Sequence, residues 1–135
     1  MTARQKEILT GEGWLSRQPA DFQDAFLAFG GVRQFEPGYC LYSLDCQVSF
    51  IYGLIDGQIE LHLMSSNFEE VAFPSAGRGK WHSFSDAVTG DRTADCAMVR
   101  KQSTIFCVTR RDFVAFLDDD PLRYCAIRER QIFRV

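Results

Sequence analysis

The 135 residues predict a mainly β domain, a sandwich or a jelly roll, with helices before and after it. Three observations carry that prediction. Apolar residues between Val32 and Val108 recur with a period of two in short runs. Turn residues separate those runs about every 8 to 12 positions. Segments with helical spacing lie at both ends. The boundaries that follow are a helical N-terminus over 1–31, a β region over 32–108 and C-terminal helices over 109–135 of one domain.

The elements follow in order. Ala3 to Leu9 can form a short helix, and Phe22, Ala25, Phe26 and Phe29 fall at i, i+3, i+4 and i+7, one face of a second. Pro19 suits its first turn and Gly30-Gly31 its end. Val32 and Phe35 open the β region, and after a Pro37-Gly38 turn come Tyr39 and Leu41, then Val48, Phe50, Tyr52 and Leu54. Asp56-Gly57 predicts a tight hairpin between Val48–Ile55 and Gln58–Met64, because both residues tolerate positive φ. Ile59, Leu61 and Leu63 would face inward on the returning strand. Val71–Phe73, Cys96–Val99 and Thr104–Val108 read as further short strands, some eight in all. Thr109 is placed to cap a helix with Asp112 at its third position and Phe113, Phe116 and Leu117 on its apolar side. Asp118-Asp119-Asp120-Pro121 ends it, and Leu122, Cys125, Ala126 and Ile132 line a last helix from Pro121.

Composition excludes several classes. A chain of this length can bury a core without staples. Its longest apolar runs fall far short of the roughly 20 residues that span a bilayer, so a soluble protein off the membrane is expected. The first 13 residues lack the apolar stretch of a secretory signal. Five cysteines, an odd set without C-x-x-C, argue for reduced thiols buried as small hydrophobes and for a cytoplasmic setting. A net charge of -3 offers no general attraction for nucleic acid, so this chain alone should not bind DNA.

One segment departs from packing logic. Residues 77–95 place glycines, hydroxyl side chains and Arg92 between two β stretches. With Glu36-Pro37-Gly38-Tyr39-Cys40-Leu41-Tyr42, Tyr52 to Leu61 around Gly57, and Thr109 to Leu117 before Asp120-Pro121, it resembles the cyclic-nucleotide-binding domain of the catabolite-activator (Crp/Fnr) superfamily. The resemblance extends over most of the chain and implies a double-stranded β-helix, or jelly roll, with N- and C-terminal helices.

In that family a segment after Gly-x-Trp is a phosphate-binding cassette, F-G-E-[LI]-A and then R-x-A, whose backbone N–H groups and arginine hold a cyclic phosphate. Gly79-Lys80-Trp81 is similar to the approach, and Arg92-Thr93-Ala94 to the end. The resemblance therefore implies Arg92 as phosphate ligand, Thr93 as hydroxyl donor, and Trp81, Ser83 and Phe84 as the intervening wall. The family's glycine and glutamate fall on Ser83 and Phe84, or the glutamate on Ser83 if the one-residue gap is moved. Neither supplies the carboxylate that holds the ribose hydroxyl. Asp86 is the nearest substitute. An unpaired sugar hydroxyl costs roughly 1–3 kcal/mol, about one to two decades of affinity, so cyclic AMP is disfavoured without being excluded. No cofactor is otherwise implied.

The rival readings are weaker. The metal-binding cupins use clustered histidines, and here His62 and His82 lie 20 positions apart. Cys40 and Cys46 match one interval of iron–sulfur sensors, which need four thiolates. No Ser/His/Asp or Cys/His set is legible, so an enzyme is not expected. The expectation is an effector-sensing regulatory domain taking a small anionic ligand at 79–94 and dimerising through 121–135, with a degenerate docking module as the alternative. In the family a helix-turn-helix DNA-binding domain follows. The 135 residues leave no room for one, so either a truncated chain or a free-standing sensor is expected.

Overall fold

A computed structural model describes residues 1–64, 70–75, 78–93 and 95–123. The helix α1 spans Ala3–Gly11, a 3-10 turn follows at Leu15–Arg17, and α2 spans Ala20–Leu27. Strands β1 (Gly31–Phe35), β2 (Cys40–Tyr42), β3 (Phe50–Met64), β4 (Glu70–Ser75) and β5 (Trp81–His82) come next. Helix α3 (Phe84–Thr89), strand β6 (Cys96–Thr109) and helix α4 (Arg110–Asp119) complete the order. The first two helices form for the reasons their sequences suggest. Thr2 accepts from the Gln5 amide at 3.1 Å while the Gln5 side chain accepts from the Thr2 amide at 3.0 Å, a reciprocal cap. In α2 the expected face is buried at Phe26 and partly at Phe22 and Ala25, whereas Phe29 stays 44% exposed beyond the helix end.

The antiparallel sheet runs β1-β6-β3-β4, with β2 added to β6 and β5 to β3. It is a jelly roll with helices before and after it. Its spine is the β3–β6 ladder, from Phe50 opposite Thr109 to His62 opposite Cys96. Here the expected hairpin at Asp56-Gly57 is corrected. Val48–Ile55 and Gln58–Met64 do not pair with one another; Phe50–Met64 is one strand, and β6 accompanies it throughout. The ladder shifts register at Leu54/Asp56, Asp56/Gln58 and Gln58/Ile59. Gly57, at φ +116, makes a bulge at which the paired strands bend together. A bulge and a reversal both demand positive φ, so Asp-Gly alone does not distinguish them. The two strands expected at Cys96–Val99 and Thr104–Val108 are likewise one strand, bent at Ser103.

Ser103 fixes the corner. Its hydroxyl is 1% exposed with its residue, accepts from the Gln58 amide at 3.2 Å and donates to the Lys101 carbonyl at 2.7 Å.

Alternation then builds two cores. Ile51 and Ile55 of β3 and Phe106 and Val108 of β6 face outward against Leu9, Trp14, Phe26, Phe113 and Phe116 of the helices. Tyr52, Leu54, Ile105 and Cys107 face inward with Phe35, Leu41, Ile59, Ala97 and Val99. The run Ile105–Val108 is thus buried on both faces. Thr109 accepts from the Asp112 amide at 3.0 Å and caps α4 as expected. The helix ends at Asp119, and the helix expected from Pro121 lies, beyond Arg123, outside the described residues.

Replacing Gly57 by alanine tests the corner. A Cβ there would lie 2.1 Å from Ser103 Oγ and 2.7 Å from Ser103 Cα, at a φ that L side chains avoid. The variant is expected to lose about 2 kcal/mol or more by urea unfolding; an unchanged midpoint would refute the bend.

Candidate functional site

The cassette hangs from β3 at its entry and from the loop before β3 at its end. The Gly79 amide donates to the Leu54 carbonyl at 2.7 Å and the Leu54 amide to the Lys80 carbonyl at 2.9 Å, which leads the chain into β5 beside Tyr52 and Gly53. Trp81 takes the outer face. Its indole N–H donates to the Leu9 carbonyl at 3.3 Å, and its ring lies 5.7 Å from Trp14, 5.7 Å from Phe26 and 6.0 Å from Phe106. Its proximity explains Gly53, where a Cβ would come within 3.0 Å of that ring. Trp81 therefore packs α1 and α2 onto the sheet.

His82 is 7% exposed, and burial lowers its pKa from the ordinary 6.5 to about 4. Ser83 follows at φ +66, its hydroxyl 2.6 Å from the carbonyl oxygens of both Phe50 and His82. That hydroxyl fastens the entry of α3 to the start of β3, and the Ala87 amide donates to the Ser83 carbonyl at 3.0 Å. The side chains of Phe84 and Asp86 lie outside the described residues, so the expectations placed on them have no structural counterpart here.

After α3, Arg92 and Thr93 meet the loop between β2 and β3. Arg92 forms an isolated bridge with Gln47. Its Nε donates to Asp45 Oδ1 at 2.8 Å and its Nη2 to the Asp45 carbonyl at 2.5 Å. Both side chains are solvated, at 60% and 77% exposure. Thr93 is 4% exposed and fully engaged: Oγ1 donates to the Ser43 carbonyl at 2.5 Å and accepts from the Cys46 amide at 3.0 Å. Its backbone pairs with Cys46 and Asp45 at 2.9 Å each. Thr93 staples the loop, while Arg92 lies across its outer side. An ion pair this exposed contributes about 1 kcal/mol at most and is screened by salt.

Two contributors were not legible in the sequence. Asp45, at φ +56, sits 47 positions before Arg92 in a loop with no motif of its own. Arg110 joins three elements: its amide donates to the Ser49 carbonyl at 2.8 Å and its Nε to the Ala87 carbonyl at 3.0 Å, tying α4 to α3 and to the entry of β3.

Inside the roll, Tyr52 donates to the Leu41 carbonyl at 3.1 Å, and burial, then Cys107, pushes its phenol up. Burial likewise raises the Cys107 thiol to about 11, against the pull of Arg33. Among the described residues no group of His, Cys, Asp and Glu could hold a metal, and no helix is long and apolar enough to cross a membrane.

With this geometry the chain is similar to solved cyclic-nucleotide-binding domains. A protein of Silicibacter pomeroyi classed as a cAMP-binding regulatory protein superposes with a TM-score of 0.82 at 20% identity, over 97% of this chain and 60% of that one. The Thermus thermophilus catabolite activator protein gives 0.74 at 14% identity, over 90% and 57%. The sensor domain of the transcriptional regulator DNR from Pseudomonas aeruginosa gives 0.71 at 12%, over 96% and 87%. The chain thus spans about three fifths of the first two proteins. No family model and no curated protein matches its sequence. The fold is that of the cyclic-nucleotide-binding domains found in Crp/Fnr-type regulators and in regulatory subunits of protein kinase A.

Two outcomes are expected. Between pH 6.5 and about 4 the unfolded chain takes up a proton that folded His82 refuses, so stability falls as pH drops through that window. The loss approaches roughly 3 kcal/mol below it, and His82→Gln should flatten this part of a stability-against-pH curve. Arg110→Ala should speed amide exchange of residues 84–89 severalfold while β3 and β6 exchange as before; uniform acceleration would deny the tie a local role.

Proposed function

We propose that this chain is an effector-sensing regulatory domain, not an enzyme, that takes a small anionic ligand at the cassette between Ser83 and Thr93 and acts as a cytoplasmic homodimer through residues 121–135. The observation that carries the reading is the state of Arg92. Its guanidinium stands at the end of the cassette with a solvated aspartate as its counter-ion, so an incoming phosphate can exchange with Asp45 at little cost. Ser83 and Arg110 hold α3 against the sheet and against α4, giving ligand occupancy a route to the C-terminal helix.

Cyclic nucleotides are the class to try first, because the neighbouring folds are cyclic-nucleotide-binding domains. The phosphate half of such a ligand fits Arg92. The ribose half has no described carboxylate at the position expected for it.

A second reading, a docking module without ligand, is supported by Thr93, whose hydroxyl proton, the part a phosphate would need, is committed to the Ser43 carbonyl. Calorimetry with cyclic AMP, cyclic GMP and inorganic phosphate separates the two. The sensor reading expects heat that Arg92→Ala abolishes and that Asp45→Asn strengthens up to about fivefold, the worth of the displaced pair. Silence with every probe, in wild type and Asp45→Asn alike, selects the docking module.

A further inference from the structure

We infer that the inner-face corner around Arg33, built from β1 and β2 and not from the cassette, is a second ligand site suited to a small aromatic carboxylate. Arg33 stands opposite Ile105 in the β1–β6 register, and Ile105 stands opposite Leu54 in β3. Facing residues of antiparallel strands share a face. Ile105 and Leu54 are both 0% exposed in the inner core, so Arg33 lies on the side of the sheet that carries the apolar interior, at its exposed margin. Among the described residues no carboxylate pairs with it. Its guanidinium carbon lies instead 5.3 Å from the centre of the Phe35 ring.

The corner is walled by aromatic rings on one side and open to solvent at Gly31. Gly31 is the next residue on the same face, opposite Cys107, and a Cβ there would meet nothing within 4 Å. Phe35 leans on Tyr39 with ring centres 4.9 Å apart and meets Tyr52 edge-on at 6.4 Å. Tyr39 is 49% exposed, leaving ring surface for a guest. The Arg33 charge is felt inside the corner, since it opposes the effect of burial on both Cys107 and Tyr52.

A planar carboxylate suits this corner: its two oxygens match the guanidinium fork, and its ring packs against the exposed part of Tyr39, which rests on the buried Phe35. A simple anion leaves the rings unused, and a neutral ring leaves Arg33 without a counter-charge.

Calorimetry of the full chain with benzoate and indole-3-acetate, against acetate and phosphate, tests the site. Heat is expected with the two aromatic acids in the wild type and in Arg92→Ala, and roughly tenfold or more weaker binding in Arg33→Gln whose circular dichroism is unchanged. The inference is overturned if neither aromatic acid binds, if acetate binds as well as benzoate, or if binding is lost in Arg92→Ala and kept in Arg33→Gln. Because the Arg92→Ala arm is scored by itself, failure of the cassette to bind a nucleotide leaves this result intact.

Discussion

The structure depends on the antiparallel ladder between β3 and β6, and above all on its bending without breaking. Flat, it would be a long two-stranded ribbon with its apolar residues divided between two solvated faces, a marginal arrangement in water. The bulge at Gly57 and the buried Ser103 hydroxyl turn both strands at one place. The inner face then closes on Phe35, Leu41 and Ile59. The outer face at Ile51, Phe106 and Val108 remains open to receive α1, α2 and α4. Each remaining strand pairs with one of these two, so every other pairing in the sheet presupposes the bend.

The cassette inherits its position from this spine. The ladder is held by many backbone bonds and two apolar cores, and among the described residues the segment 83–93 is joined to the rest by Ser83 to Phe50, Thr93 to Ser43 and Cys46, Ala87 to Arg110, and by the burial of Ala87 in the outer core. These ties differ in kind. Thr93 is buried, and removing its hydroxyl would leave the Cys46 amide and the Ser43 carbonyl unsatisfied, a cost of about 1–3 kcal/mol. Arg92 and Asp45 are both in water, where breaking the pair costs a fraction of that. Scaffold and exchangeable contact are thus adjacent residues, told apart only by burial.

This division explains what could be read in the sequence. Period-two alternation located the β region because it follows from which face is buried, and the Thr109 cap and the Phe113, Phe116, Leu117 face located α4 because both are local. The reciprocal cap of Thr2 and Gln5 was equally local and was available in the spacing. Asp56-Gly57 predicted a reversal because sequence reports the φ a residue tolerates and not the partner it meets; that partner, Ser103, is 46 positions away. The cassette's place came from family resemblance. Its counter-ion did not, since Asp45 is an aspartate in an unmarked loop, brought to Arg92 by the Gln47–Arg92 bridge and the Thr93 bonds to Ser43, Asp45 and Cys46. The burial of Thr93 was hidden for the same reason.

The proposed sensing role then turns on one junction. The loop before β3, the short helix α3 and the first residue of α4 converge on Arg110, through its amide on Ser49 and its guanidinium on Ala87. A ligand that draws Arg92 away from Asp45 acts on that loop at its far side, and Thr93 keeps the loop from swinging free. The strain is then passed to α3, which lies between Ser83 and Arg92. Because Arg110 holds the carbonyl of Ala87, a shift of α3 must either break that bond or move the start of α4. Coupling of this kind needs two arrangements of similar energy and no special wire between them. Helix α3, tied on one side to the start of β3 through Ser83 and on the other to α4 through Arg110, lies where two such arrangements would be transmitted.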